Sequence, residues 1–395
     1  MIPILYDRYS QLSSIGTLGD CLTCTVTEQV NGVFECEFTY PITGRYCLQM
    51  MEIGGMIRVA SGHSTAPQYF DIYKYSAPVN GIVTFYCSHV SYRLANVIVG
   101  GSWTATTPNE AMDYIEANLR TELTPFTLNR GSPWDGDSGQ IQFNGFNNVR
   151  ALLLNREQGA QSFLKAWTGE FVFDNFNVYF STARGGNYGV QIRYGKNMSD
   201  VLREKDTGGI VSQIFPFWKD GSGTYVTAPA VLSSSLQKGQ SPWTTPKTYG
   251  VPPAAFDIPI ETADGEQIYF RPAVIRAAAV DFTDSFETQP TAAQLQSAAR
   301  TYMRKNSTWR AVDNISVSLI DLYGTPEYED IKELEECHVG DYVAVYYEAL
   351  GIKADNVEIV SATYDALAER YITVELSTIR TTLAQTIIDY IGRAQ

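Results

Sequence analysis

The residues of this 395-residue chain whose types suit nucleophilic, redox or metal chemistry are six cysteines and three histidines. Cys21 and Cys24 form a CxxC pair, but no second CxxC and no nearby histidine accompany it. The pair falls in a strand-like run, where residues three apart point to opposite faces, so both read as small buried hydrophobes. Cys87 and His89 share one face of a strand, a spacing that suits two sheet residues better than a Cys–His dyad. Cys337 and His338 fall on opposite faces, and His63 stands alone. No HExxH or HxH pair offers zinc its ligands. Asp135-Gly136-Asp137 lacks the rest of a calcium loop and reads as a surface turn. The GGNYG and GSG runs lack the Lys-Ser/Thr of a phosphate loop and also read as turns. No metal, cofactor or catalytic residue is assigned. Carboxylate pairs for glycoside cleavage stay open, because 43 acidic residues place some pair at a suitable distance by chance. Trp134, Trp218, Trp243 and 25 tyrosines could stack on sugars, although aromatics in a β-rich chain more often serve the core or subunit contacts.

The bulk composition narrows the classes further. Length alone predicts two to four domains, and 44% apolar residues suffice for a full core. Aromatics at 12%, most of them tyrosine, favour pleated sheet. The net charge of −14, with no basic stripe, argues against gripping nucleic acid by its phosphates. The first ten residues lack the basic and apolar regions of a signal peptide, and no run approaches the ~20 apolar residues of a membrane span. Synthesis in the cytoplasm with reduced thiols is expected.

These residues need elements to hold them. Asn31-Gly32 between two alternating runs predicts a β-hairpin over residues 21–40. Strands are predicted over 53–59, 68–75 and 82–90, making residues 1–100 a first β module. Thr107, Pro108 and Glu110 make a capping box that opens a helix. Short helices over 148–155 and 161–167 and a hairpin turning at Asp174-Asn175 complete a mixed α/β insert, residues 101–180. Residues 219–309 form a second peripheral insert, with a strand over 267–275 and a helix over 291–305 capped by Thr291 and Gln294. An amphipathic helix closes the chain within residues 379–395.

The densest motif is RGGNYGVQIRYGKNMSDVLREKDTGGIVSQIFPFW, residues 184–218. Arg184-Gly185-Gly186 predicts a tight turn. Val190, Ile192 and Tyr194 alternate as a half-buried strand, which Gly195-Lys196-Asn197 ends. Residues 199–205 are too polar for a core, and 210–218 form a second strand. The expectation is two strands flanking an exposed polar connection. The run RG-x(3)-GV-x-I-x-YGKN resembles the hub signature of the prophage endopeptidase tail family, also called tail-associated lysins. Further matching points run from Asn31 to Thr378.

That resemblance implies a structural hub at the tip of a phage tail, within the virion. It implies a homotrimer that docks on the distal tail protein ring, meets the tape-measure protein and tip fibres or receptor-binding proteins, and touches DNA only as it passes. In family members lytic activity lies in a further C-terminal region, so this chain is not expected to be an enzyme. A cell-wall endopeptidase and a glycan-binding adhesin are the rivals. The signature residues Arg184, Gly185, Gly189, Tyr194, Gly195, Lys196, Asn197, Asp200, Glu204 and Asp206 are the candidate site, with 197–206 as a docking loop.

An internal parallel gives the trimer a physical basis. NISVSLIDL (314–322) parallels FECEFTYPI (34–42). Residues 339–345 parallel 53–59, 356–359 parallel 69–72, and 370–376 parallel 82–88. One β module then occurs twice, the second copy comprising residues 181–218 and 310–378. The expected fold is α+β and β-rich: two similar small barrel or sandwich modules with two inserts. Three copies would present six like surfaces as a pseudo-six-fold ring.

Overall fold

The structure, a computed structural model, describes residues 1–7, 13–76, 81–157, 160–206, 208–220, 223–233, 256–258, 260–261, 267–268, 276–286, 288–306, 308, 312–320, 322–323, 336–347 and 352–377. The fold is β-rich with few helices. Two compact units form, one from residues 1–203 with 315–377, the other from the described part of 204–314.

The first unit opens with β1 (Ile4–Tyr6), β2 (Ser14–Thr17), β3 (Thr23–Gln29) and β4 (Phe34–Pro41). Asn31 turns the β3–β4 hairpin at φ 54°, a conformation that asparagine tolerates. Phe34, Cys36, Phe38 and Tyr40 alternate into the core from β4. Helix α1 (Cys47–Ile53) then leads into β5 (Met56–Val59), β6 (Gln68–Tyr75) and β7 (Ile82–His89).

A mixed region follows, with β8 (Ile98–Ala105), α2 (Pro108–Ala117), β9 (Thr127–Leu128), β10 (Ile141–Asn148), α3 (Val149–Leu154), α4 (Phe163–Ala166), β11 (Glu170–Asp174) and β12 (Asn177–Ser181). The Thr107–Glu110 capping box is present at α2, and Asn175 turns the β11–β12 hairpin at φ 51°. This region buries its own core around Trp167, Phe163 and Phe171.

The chain returns to the main sheet through β13 (Asn187–Arg193) and β14 (Met198–Asp206). The second unit holds β15 (Gln213–Lys219), β16 (Tyr225–Thr227), β17 (Val231–Ser233), β18 (Phe256–Ile258), β19 (Ile260–Glu261), β20 (Gln267–Ile268), β21 (Ala277–Asp281) and α5 (Ala292–Asn306). Thr291 and Gln294 cap α5 reciprocally. Four further strands complete the first unit: β22 (Val312–Leu319), β23 (Tyr342–Tyr347), β24 (Ile352–Asp365) and β25 (Arg370–Ser377).

The same strand order occurs twice in the main sheet, as β4-β7-β6-β5 and as β22-β25-β24-β23. The likeness extends to register. Met56 lies opposite Asp71 and Ile57 opposite Phe70; Tyr342 lies opposite Glu358 and Val343 opposite Val357. On the other edge Ile72 faces Cys87 and Ile359 faces Leu376. Both long strands then slip register at the next step, between Ile72 and Lys74 and between Ile359 and Ser361. A bulge thus falls at one place in both halves, where it bends the strand. The flanking hydrogen bonds also correspond, Ile72 N to Gly55 O at 3.0 Å and Ile359 N to Asp341 O at 2.8 Å.

Several expectations are corrected. The two modules are not closed barrels: they merge in one 13-stranded sheet, because β3 pairs both with β4 and with the second half of β24. Gln29 lies opposite Ser361 and Thr25 opposite Asp365. One core therefore spans both halves, from Phe38 and Phe85 to Val345 and Ile359. The polar connection of 197–206 is not a loop but strand β14, paired with β22. One ladder suffices to order such a polar stretch at a sheet edge. Strand β15, expected in the second module, pairs instead with β16, β17 and β21. The strand expected from residue 53 begins at Met56, since α1 runs through Ile53. Cys21 precedes β3 and is only half-buried, its thiol donating to Thr23 O at 3.3 Å, so it is not a buried residue of that strand. The closing helix and Trp243 lie outside the described residues.

Candidate functional site: the signature segment and its anchors

Arg184-Gly185-Gly186 lies against a turn that sequence reading left unconnected to it, His338 to Asp341. Gly340 adopts φ +95°, and a Cβ there would sit 2.2 Å from Arg184 Cγ. A Cβ on Gly185 would sit 2.5 Å from the Gly340 carbonyl and from Asp341 Oδ1. Glycine is required on both sides of this crossing. Buried Asp341 fixes it: Oδ1 accepts from Gly186 N at 3.1 Å and Oδ2 accepts from His338 N at 2.8 Å. Tyr342 N donates to Gly186 O at 2.9 Å, which starts the parallel β13–β23 ladder.

Arg184 itself reaches the first half of the chain. Its guanidinium meets Glu28 of β3 at 2.7 Å, with the two side chains 12% and 17% exposed. Its backbone nitrogen donates to Glu170 Oε2 at 2.9 Å. A pair this sheltered is tied to geometry rather than to solubility.

Gly189, at φ +81°, accommodates the register shift between Asn187 and Gln191 in the β13–β23 ladder. Gly195, at φ +84°, makes the corner into β14. Asn197 is buried and clamps that corner: Oδ1 accepts from Arg193 N at 2.9 Å and Nδ2 donates to Gln191 O at 3.0 Å. Lys196 N closes the turn on Arg193 O at 3.1 Å. Tyr194 is exposed and packs its ring 4.9 Å from Tyr347. Beyond Met198, Asp200 and Glu204 lie exposed along β14, which ends at Asp206.

The candidate set thus divides. Arg184, Gly185, Gly189, Gly195 and Asn197 hold the sheet together, whereas Tyr194, Asp200 and Glu204 face outward. Their partners Glu28, Glu170 and Asp341 were missed by sequence reading. Only Gly340-Asp341 carried a signal, as a turn before a strand.

The thiols and imidazoles are placed against nucleophilic chemistry. Burial, with a smaller push from Arg150, drives the His89 imidazole down to about 3. Its ring stacks on Phe34 at 4.2 Å and hydrogen-bonds Ser91 and Gln68. Burial also pushes the Cys87 thiol far above its ordinary value, the opposite of an activated nucleophile. His338 is pulled down by burial, but the Asp341 and His63 hydrogen bonds outweigh this and raise it. No group of His, Cys, Asp or Glu among the described residues could hold a metal ion. Asp137 is occupied in structure, accepting from Thr168 N and Oγ1 at 2.8 and 2.9 Å. Trp134 stacks on Phe180 at 5.3 Å, and Trp218 is buried with Nε1 on Phe286 O. No helix among the described residues is long and apolar enough to cross a membrane.

Solved structures of similar fold include tail proteins. One is a prophage tail protein from Listeria monocytogenes (TM-score 0.58, 16% identity, covering 99% of both chains). Another is the 43 kDa tail protein of prophage MuSo2 from Shewanella oneidensis (TM-score 0.55, 14% identity, 97% of this chain and 100% of that one). A third is a tail protein from Neisseria meningitidis (TM-score 0.53, 9% identity, 98% of both). No curated protein matches the sequence. The model of the prophage endopeptidase tail family matches residues 187–387, from the first residue of β13 onward. With half of its length so matched, the chain belongs to the prophage endopeptidase tail family.

Proposed function

We propose that this protein is the structural hub at the distal end of a phage or prophage tail. Three copies form a collar that joins the six-fold tail tube and its distal tail protein ring to three-fold tip components, and gates the passage of DNA. The observation that carries this reading is the doubled strand order with its shared bulge. Two like halves in each of three chains present six near-equivalent surfaces, which resolves a six-to-three mismatch without a second protein. The tape-measure protein and tip fibres or receptor-binding proteins are the further partners. The acidic chain offers passing DNA no basic surface to cling to.

The role is structural rather than lytic. The Cys87 thiol held protonated and the His89 imidazole held neutral support this, as neither can take up the other's proton task. A glycan-binding role is disfavoured by Trp134 and Trp218, whose rings pack internally. The test is light scattering on the purified chain, alone and with the distal tail protein. A trimer, or trimerisation on that ring, is expected. A stable monomer that ignores the ring would overturn the reading. A zymogram on peptidoglycan is expected to stay blank; a cleared band would favour the endopeptidase rival.

A further inference from the structure

We propose that β14 carries the sheet from one copy of this chain to the next, by pairing antiparallel with the open edge of β6. The inference rests on the trimeric-hub reading and names the surface through which copies meet. Its model is a junction already present inside the chain. There β3, the strand before β4, fills the edge of β24 beyond the bulge. Val30 N donates to Val360 O at 2.9 Å, Glu28 lies opposite Ala362, and Ala366 N donates to Cys24 O at 2.9 Å. In the other half, β14 is the strand before β22, and β6 is the counterpart of β24. Both members of the equivalent junction are present, but within one chain they do not pair.

Among the described residues each edge is open in the required sense. Strand β14 ends the sheet order, with β22 on one side. Ile320 N donates to Asn197 O at 2.9 Å on that side, so by alternation the main-chain groups of Asp200 and Leu202 face the other. On β6, strand β5 reaches only to Ile72, through Gly55. Beyond the bulge, no strand among the described residues pairs with that edge. Ser76 N donates to Thr84 O on the β7 side at 2.9 Å, so Tyr75 directs its main chain outward.

The two edges also match in side chains. Leu202 is 58% exposed, and Tyr73 and Tyr75 are 56% and 43% exposed. The proposed pairing brings these exposed apolar groups together, with Leu202 set against Tyr75. Exposed Asp200 and Glu204 blunt β14 against indiscriminate partners, the usual protection of a free edge. The contact is head-to-tail, a geometry that closes into a ring when its rotation divides the circle.

The test uses the full chain. A Leu202→Cys/Tyr75→Cys double variant under mild oxidation is expected to give a covalent trimer on a non-reducing gel, and neither single variant should. Leu202→Pro and Tyr75→Pro each delete an outward N–H while sparing the strand's own ladder. Each should weaken assembly by about tenfold or more in light scattering, roughly 1.4 kcal/mol. A trimer that survives both prolines and gives no disulfide would overturn the junction and leave the hub reading standing. A wild-type chain that never assembles, even with the distal tail protein, would overturn both. If a proline variant misfolds by circular dichroism, the cysteine pair decides alone.

Discussion

The Asp341 carboxylate accepts a hydrogen bond from the backbone nitrogen of Gly186 at 3.1 Å, across 155 residues of sequence. This one side chain ties the family signature to the turn before β23, and its second oxygen holds His338 N at 2.8 Å. Both bonds need acceptors, and the Asp341 side chain is buried.

Asp341→Asn should therefore destabilise the first unit. The amide supplies one acceptor and sets an NH2 against a donor N–H, a buried mismatch of about 1–3 kcal/mol. Urea unfolding should show a lower midpoint at unchanged slope. An unshifted midpoint would mean the carboxylate is not the tie.

The two signature glycines should respond differently. Gly185→Ala drives a methyl into the Gly340 backbone at 2.5 Å and should cost about 1–3 kcal/mol of overpacking. Gly189→Ala meets nothing within 4 Å and strains only its φ of +81°, about 1 kcal/mol. Differential scanning fluorimetry should rank Gly185→Ala as the lower melting of the two.

Arg184→Met leaves Glu28 sheltered without its partner and should cost about 2 kcal/mol. Glu28→Gln added to it should recover part of the loss, since no buried charge then remains. A double-mutant cycle by chemical denaturation measures this; strictly additive losses would show that the pair is not coupled.

His89 makes stability depend on pH. Its folded value, about 3, lies below the ordinary 6.5, so protonation favours the unfolded chain. The sign is thus that stability is full above 6.5 and falls as pH drops from 6.5 towards 3, by on the order of 4 kcal/mol at the bottom. Raised His338 acts oppositely, adding stability below 6.5 that is lost as pH rises through its folded value. Melting curves of wild type and His89→Gln from pH 7 to pH 4 should show a flatter acid limb in the variant.

Local punctuation was legible in the sequence. Asn31 and Asn175 turn the hairpins they were assigned, and Thr107 with Glu110 caps the helix they were expected to open. The parallel of 339–345 with 53–59 and of 356–359 with 69–72 reappears as matched register around Asp71 and Glu358. What stayed hidden depends on partners far away. The polarity of residues 199–205 suggested a loop, because alternation cannot reveal a single ladder with β22. Closed barrels were expected because nothing in β3 announces that its second edge meets β24. Likewise Arg184 carries no mark of Glu28, nor Gly186 of Asp341, since long-range pairing leaves no local period.

The two halves differ most at one hairpin. Where β3 and β4 are joined by a tight turn at Asn31, their counterparts β14 and β22 are paired neighbours joined through the chain that supplies the described residues of the second unit. The main sheet thus holds β14 and β22 side by side. Closing a long excursion between ends already fixed costs little more than closing a short one. The chain between them is thus free to vary in length while the register of the sheet stays as it is.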